Sequence, residues 1–260
     1  MFFKIVIPVY DSDYIEQCIM SIENQTFKDY TIVAVNDHCN DNTFERVKNL
    51  AKKYNNIICL EPEKKLYIGG ARNYGVHYEI ESKYTLFIDN DDWFDTPTVF
   101  QDLHDCIVNN DYPDCIRLPY KCLIGNDAQT VMLDQNSPEK LVKSPYIAPW
   151  TKCVKSELIA DFPENTLVED VVQHIAQCDV IKSVVPFNKV VIVWNRNNMK
   201  SASLKQNQRT LSKGKRFGDV YRNVADLIEL QCVHDYCEEH RKWRIKAYIN
   251  KIKEGTYDYE

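Results

Sequence analysis

The chain has no apolar run approaching the ~18 to 20 residues that span a bilayer, and its start meets Pro8 and Asp11 too early for a signal-peptide core. The expectation is a cytoplasmic protein. No two of its 10 cysteines form a Cys-x-x-Cys pair, and 260 residues need no disulfide staples, which excludes zinc ribbons and disulfide scaffolds. Most cysteines then read as small buried hydrophobes, with Cys39 set apart because it falls in a loop. Positive charge is also short: 32 Lys+Arg against 38 Asp+Glu leave a net charge of -6, so no global cationic field argues for nucleic acid or an anionic membrane. With only 7 glycines, no internal repeat and no Gly-, Ser- or Pro-rich linker, the chain is not low-complexity. A Gly-rich phosphate loop followed by Lys is missing near the N-terminus, which counts against a nucleotidyltransferase.

What is present is a hydrophobic content of 44%, enough for one large core. Phe3 to Val9 is a β-branched apolar run that suits a strand buried on both faces. A helix follows, capped by Asp11 or Ser12, with Ile15, Cys18, Ile19 and Ile22 at helical spacing. Thr31 to Val35 predicts a strand, Thr43 to Tyr54 a helix, Ile57 to Leu60 a strand, Gly69 to Glu79 a helix and Tyr84 to Ile88 a strand. This alternation predicts a doubly wound, mostly parallel α/β sheet, whose ligands gather at the carboxyl ends of its strands. Beyond Pro97 a helix is expected from Thr98 to Asn109, a strand near Asp114 to Leu118, β structure to Leu133, a helix over Val168 to Cys178 and one strand over Val184 to Trp194.

Three polar clusters stand at predicted strand ends: Pro8 to Ser12, Asn36 to Asp41, and Asp89 to Asp92. In Asp89-Asn90-Asp91-Asp92 three carboxylates repel one another unless a cation or a donor network offsets them. Oxygen-only ligands suit Mg2+ or Mn2+; the plainer alternative is a solvated acidic turn. Glu169-Asp170 opens an apolar-periodic helix, where the dipole favours acids in any case.

Several stretches resemble glycosyltransferase family 2. They are Ile5-Val6-Ile7-Pro8-Val9-Tyr10-Asp11, Cys18 to Phe27, Val33 to Thr43, Gly69-Gly70-Ala71-Arg72-Asn73-Tyr74-Gly75, and Phe87-Ile88-Asp89-Asn90-Asp91-Asp92, in the family's order. The resemblance implies a GT-A fold over residues 1–203, with a nucleotide-binding half at about 1–97 and an acceptor half at 98–203. It also implies a nucleotide-sugar donor, UDP-linked, and inversion at the anomeric carbon by a hexosyl- or N-acetylhexosaminyl-transferase. By position, Asp37 matches the acid that meets the uracil imide, while Pro8, Val9 and Tyr10 match the segment along base and ribose. Arg72 falls where the family approaches the donor. Asp91 and Asp92 match the metal and ribose carboxylates, with Asp89 beside them, and the metal would be Mn2+ or Mg2+. Asp170 matches the catalytic base, with Glu169 as its neighbour. Trp150 and Lys152 match the segment facing donor sugar and acceptor, and Arg196 the loop closing over the diphosphate. Asn36-Asp37-His38-Cys39 departs from the usual Asp-Asp-Gly-Ser, and His38 either touches the donor or fills the turn.

Residues 204–260 are expected to form a helical, charged extension. Its basic clusters, Lys205 to Arg216 and Arg241-Lys242-Trp243-Arg244, read as solvated faces or as contacts to an inner membrane surface carrying a lipid-linked saccharide acceptor. A growing glycan is the other acceptor class. Two competing functions remain: a glycosyltransferase acting on hydroxymethylated DNA bases, which the acidic charge disfavours, and a catalytically degenerate nucleotide-sugar-binding module.

Overall fold

The computed structural model describes residues 1–142, 144, 146–163, 169–198 and 200. The expected helical extension at 204–260, with both basic clusters, lies outside them. In chain order the elements are β1 (Phe3–Val9), α1 (Ile15–Glu23), β2 (Tyr30–Asn36), α2 (Thr43–Ala51), β3 (Ile57–Leu60), α3 (Tyr67–Val76), β4 (Tyr84–Phe87), β5 (Trp93–Phe94), α4 (Val99–Asn109), β6 (Cys115–Arg117), β7 (Tyr120–Ile124), β8 (Asp127–Val131), α5 (Pro138–Val142), β9 (Lys152–Lys155), α6 (Glu169–Val180), β10 (Val184–Pro186) and β11 (Ile192–Asn195). Short 3-10 turns cover Pro149–Thr151 and Ser156–Leu158.

The main sheet has seven strands in the order β10-β6-β9-β4-β1-β2-β3. All its pairings are parallel except those of β9, which runs against both β4 and β6. β1 lies inside it, and every one of its residues is buried. Alternation along β1 sends Phe3, Ile5, Ile7 and Val9 into one core with Ile15, Ile19 and Ile22 of α1 and Phe100 and Leu103 of α4. Val6 packs with Phe87 and Phe162, and Val33 and Val35 of β2 pack with Ala71 of α3, in separate clusters. The predicted doubly wound architecture is therefore present, because β1 carries an apolar residue for each face in turn.

Four boundaries differ from the sequence reading. α2 stops at Ala51, and the amides of Lys53 and Tyr54 both bond back to the Leu50 carbonyl as the chain turns towards β3. α3 begins at Tyr67 rather than Gly69, because the Asp37 carboxylate reaches across from the end of β2 and accepts from the amides of Leu66 and Tyr67. It ends at Val76, where the buried Lys4 ammonium draws the carbonyls of Val76 and Tyr78. Val184 to Trp194 is two strands in different sheets: β10 edges the main sheet, and β11 lies in a second sheet of order β5-β11-β7-β8. Pro186 ends β10, and Phe187 to Val191 carries the chain across.

The second sheet and the antiparallel β9 were not foreseen. β7 and β8 form a hairpin around Gly125, whose φ of 60 is in the left-handed region. Phe94, Tyr120, Cys122 and Ile192 place the second sheet in the same core as β1. Among the described residues no helix is long and apolar enough to cross a membrane.

Gly75 sets how closely α3 sits on the sheet. A Cβ there would lie 2.6 Å from Val6 Cγ1 and 3.1 Å from Val35 Cγ2. Gly75→Ala should therefore destabilise the fold by about 1–3 kcal/mol through overpacking. A urea titration checks this as a lower midpoint at unchanged slope.

Candidate active site at the strand ends

The carboxyl ends of β1, β2 and β4 meet at one rim, and a short polar network joins them. Ser12 follows β1. Its hydroxyl accepts the Tyr14 amide and donates to the Asn90 carbonyl, so it works one turn ahead of α1 and not as a side-chain cap on it. Asp11 caps nothing in α1; its carboxylate takes the amides of Asn40 and Asp41 in the loop after β2. Asn90 returns a hydrogen bond to the Tyr10 carbonyl. Pro8 and Val9 are buried within β1, so only their backbone can face a ligand; the Val9 carbonyl accepts the Asp37 amide.

The centre of the site is Arg72. Its side chain is 2% exposed, and its two terminal nitrogens divide between Asp89 at 2.8 Å and Glu169 at 2.8 Å. The guanidinium also lies 5.3 Å from the Phe162 ring centre, and its buried Nε has no hydrogen-bond partner. One cation thus ties the loop after β4 to the first turn of α6, whose Glu169 lies 97 residues beyond Arg72. Gly69 allows the approach: a Cβ there would meet the Pro163 carbonyl at 2.6 Å and Glu169 Cβ at 3.2 Å. Burial and then the charge of Asp170 raise the Glu169 pKa, against the pull of Arg72. Asp170, the next residue, is half-buried.

Asp91 and Asp92 hang from the same loop. Asp92 is 1% exposed; one of its oxygens accepts the Asn195 amide at 2.8 Å, and the other is buried without a partner. Burial, then the charges of Asp91 and Asp89, hold its pKa well above the ordinary carboxylate value. Asp91 accepts from the Asn198 side chain at 2.8 Å, and burial followed by the charge of Asp89 pushes it up to about 6. These are carboxylates short of positive charge. Among the described residues no three His, Cys, Asp or Glu side chains converge on a metal position. A fully caged ion does not fit, whereas Mg2+ or Mn2+ held by one or two carboxylates and completed by water and phosphate oxygens does. The orphaned Asp92 oxygen is the observation that favours a cation there.

The same rim carries Asp37 and Tyr10, which the sequence resemblance assigns to the nucleotide. Asp37 is buried, its pKa is raised by that burial, and one oxygen holds the Leu66 and Tyr67 amides at 2.9 and 2.8 Å. This bond supports Tyr67 in the left-handed region, at φ 59. The Tyr10 hydroxyl accepts from Asn40, and its ring carries the Lys65 ammonium 3.8 Å from the centre. His38 is exposed, at φ 58 in the left-handed region, with Nε2 3.1 Å from the Pro62 carbonyl. Cys39 is packed against the core, and burial pushes its thiol up to about 12, so it is no nucleophile at neutral pH.

Two expected ligand-facing residues are buried instead. Lys152 is 2% exposed, with its ammonium on the Ile147 carbonyl at 2.9 Å and on His174 Nδ1 at 3.1 Å. It fills the space between β9 and α6, so it does not offer its charge to a donor phosphate. Trp150 packs edge-on to Tyr120 at 4.9 Å and beside Trp194 at 5.8 Å, which leaves no ring face for a sugar. Arg196 is exposed, its guanidinium 5.1 Å from the Trp194 ring centre. From Trp194 to Asn198 the sequence reading selected the cation, but Asn195 and Asn198 are the residues that reach Asp92 and Asp91. Lys65, Asn90 and His174 were also missed: a lone Lys in a loop and single amides carry no spacing signal.

Residues 4–127 match the model described as Glycosyl transferase family 2. The chain carries a glycosyltransferase family 2 domain. A poly(ribitol-phosphate) beta-glucosyltransferase of Bacillus spizizenii is 36% identical over 93 residues, 35% of this chain and 15% of that relative. The poly(ribitol-phosphate) beta-N-acetylglucosaminyltransferase TarS of Staphylococcus aureus is 24% identical over 175 residues, 64% of this chain and 30% of TarS. The chain therefore spans less than a third of these relatives' lengths. The structure of S. aureus TarS residues 1–349 with UDP-GlcNAc superposes with a TM-score of 0.76 at 20% identity, covering 97% of this chain and 72% of that one. At that identity the likeness establishes the GT-A fold.

Replacing Arg72 in this family 2 domain leaves Glu169 buried and uncompensated. Arg72→Met should cost about 3–5 kcal/mol. Chemical denaturation checks it, and a loss under 1 kcal/mol would mean that the pair does not hold the rim together.

Proposed function

We propose that this domain transfers a sugar from a UDP-sugar to a hydroxyl of a growing glycan, a lipid-linked saccharide or a polyol-phosphate polymer, with inversion at the anomeric carbon. The observation that carries the proposal is the Arg72 bridge, which brings the acids of the β4 loop and the first turn of α6 to one site. Such a site needs a donor pocket and a base on opposite sides of the reacting carbon, and the rim has both kinds of group.

Asp37 has one oxygen committed to backbone amides and a second with which to accept an imide N–H of uracil. Tyr10 offers a ring beside it. Asp91 would hold a divalent cation with Asp92 behind it, and when bound the ion would neutralise charge on the departing diphosphate. Asp170 takes the proton from the acceptor hydroxyl as that oxygen attacks the anomeric carbon from the side away from the diphosphate. Glu169 is less suited to that task, since it is buried and engaged by Arg72. The TarS structure with UDP-GlcNAc supports a UDP-linked donor, and the two poly(ribitol-phosphate) relatives support a polymer acceptor. A mannosyltransferase from Pyrobaculum calidifontis with GDP-Man and Mn2+ also superposes, with a TM-score of 0.64 at 12% identity, and makes GDP-mannose the donor to test against.

Thermal melts with Mn2+ and UDP, UDP-GlcNAc, UDP-glucose or GDP-mannose test the donor. A native-state ligand at 100 times its dissociation constant adds about 2.7 kcal/mol. A rise with UDP or one UDP-sugar is expected, lost on chelation and in Asp91→Asn; no rise with any uridine nucleotide rejects the reading. Asp170→Asn should keep that shift and lower turnover by about 100-fold or more. Unchanged turnover there would reject Asp170 as the base.

A further inference from the structure

We propose that Lys152 and His174 are positioning residues that hold Asp170 in place and supply positive charge behind it, a role that rests on Asp170 being the base. The geometry is a buried strut. Lys152 begins β9, pairs in register with Arg117 of β6, and reaches from the sheet to α6. Its ammonium donates to the Ile147 carbonyl and to His174 Nδ1, and His174 stands one helical turn after Asp170. Donation to Nδ1 leaves the imidazole proton on Nε2, where Cys178 Sγ lies 3.8 Å away. The Ile147 contact ties the segment before β9 to the same helix. Lys152 and His174 are each 2% exposed, so neither can bind a ligand directly.

Charge gives the strut a second task. Arg117 is fully buried and spends its guanidinium on neutral groups, Gln135, Thr151, Ser144 and the Tyr146 carbonyl. Burial pulls it down to about 10, and burial followed by Arg117 pulls Lys152 down to about 8. The groups acting on Lys152 are Arg117 and Cys115 from β6 and Cys178 and Asp170 from α6. Glu169, Arg72 and Lys152 are among the groups that Asp170 acts on. Asp170 is thus the carboxylate acting on this buried cation, and it shares its surroundings with another acid. Burying an ammonium costs free energy that a methionine in its place would not.

The test compares the parent with Lys152→Met, His174→Leu, His174→Asn and Asp170→Asn, reading hydrolysis of UDP-GlcNAc with Mn2+ as UDP release across pH, alongside UDP affinity and thermal melts. Lys152→Met should lower kcat about 10- to 100-fold at unchanged UDP affinity. It should also move the acid limb of the pH profile upward by about half a unit, because losing a nearby cation disfavours the carboxylate. His174→Leu should lower kcat without moving the limb, and His174→Asn, whose oxygen can replace Nδ1, should recover most of it. An active parent with Lys152→Met and His174→Leu within twofold of it, or a Lys152→Met limb that stays put, overturns this proposal alone. A parent that does not consume the donor, or an equally active Asp170→Asn, overturns the base and this role with it. Should Lys152→Met fail to fold, equal turnover of His174→Leu and His174→Asn overturns the strut.

Discussion

Arg72 is a guanidinium sealed from solvent and answered by two carboxylates that belong to different parts of the chain. Removing one partner of such a buried pair leaves an unpaired charge, which is far more costly than the pair is stabilising. The start of α6 is therefore bound to the end of β4. The glycine at position 69 lets α3 come close enough to deliver Arg72 between them, and Phe162 covers the cation's face. The arrangement of the acids and the stability of the fold are coupled here through one side chain.

The same rim carries more carboxylate than its own cations offset. Arg72 serves Asp89 and Glu169, while Asp91 and Asp92 are met by the neutral amides of Asn195 and Asn198. Amides can orient an acid without discharging it, so both carboxylates stay disposed to bind a proton or a cation. At Arg117 and Lys152 the imbalance is reversed: both are buried cations whose hydrogen bonds go to neutral acceptors. The helix carrying Glu169 and Asp170 is tied to both groups, through Glu169 to Arg72 and through His174 to Lys152.

Family membership and fold rest on residues 4–127 and on the superposition with TarS, whereas the proposed chemistry rests on local geometry. The relatives that act on poly(ribitol-phosphate) are much longer than this chain, so the acceptor side is where relatives inform least. In this chain Arg117 gathers Gln135, Ser144, Tyr146 and Thr151 around one buried guanidinium.

Local pattern alone determined the first half of the fold. Phe3 to Val9 could only be a strand buried on both faces, Ile15 to Ile22 has a helical period, and Asp37, Asp89, Asp91 and Asp92 follow apolar strands that had to end in turns. These features depend on neighbours within a few residues, which is why they can be read before folding. The partners of each charge were decided only by the tertiary structure. Lys152 and Trp150 sit in a stretch that reads as ligand-facing, yet β9 runs antiparallel between β4 and β6 with Lys152 buried, and Trp150, in the turn before it, packs against Tyr120 and Trp194. Asn195 and Asn198 look like turn residues until β11 joins the second sheet and brings them against Asp92 and Asp91. Contacts made across 22 to 107 residues depend on strand order and burial, and no spacing in the sequence encodes those.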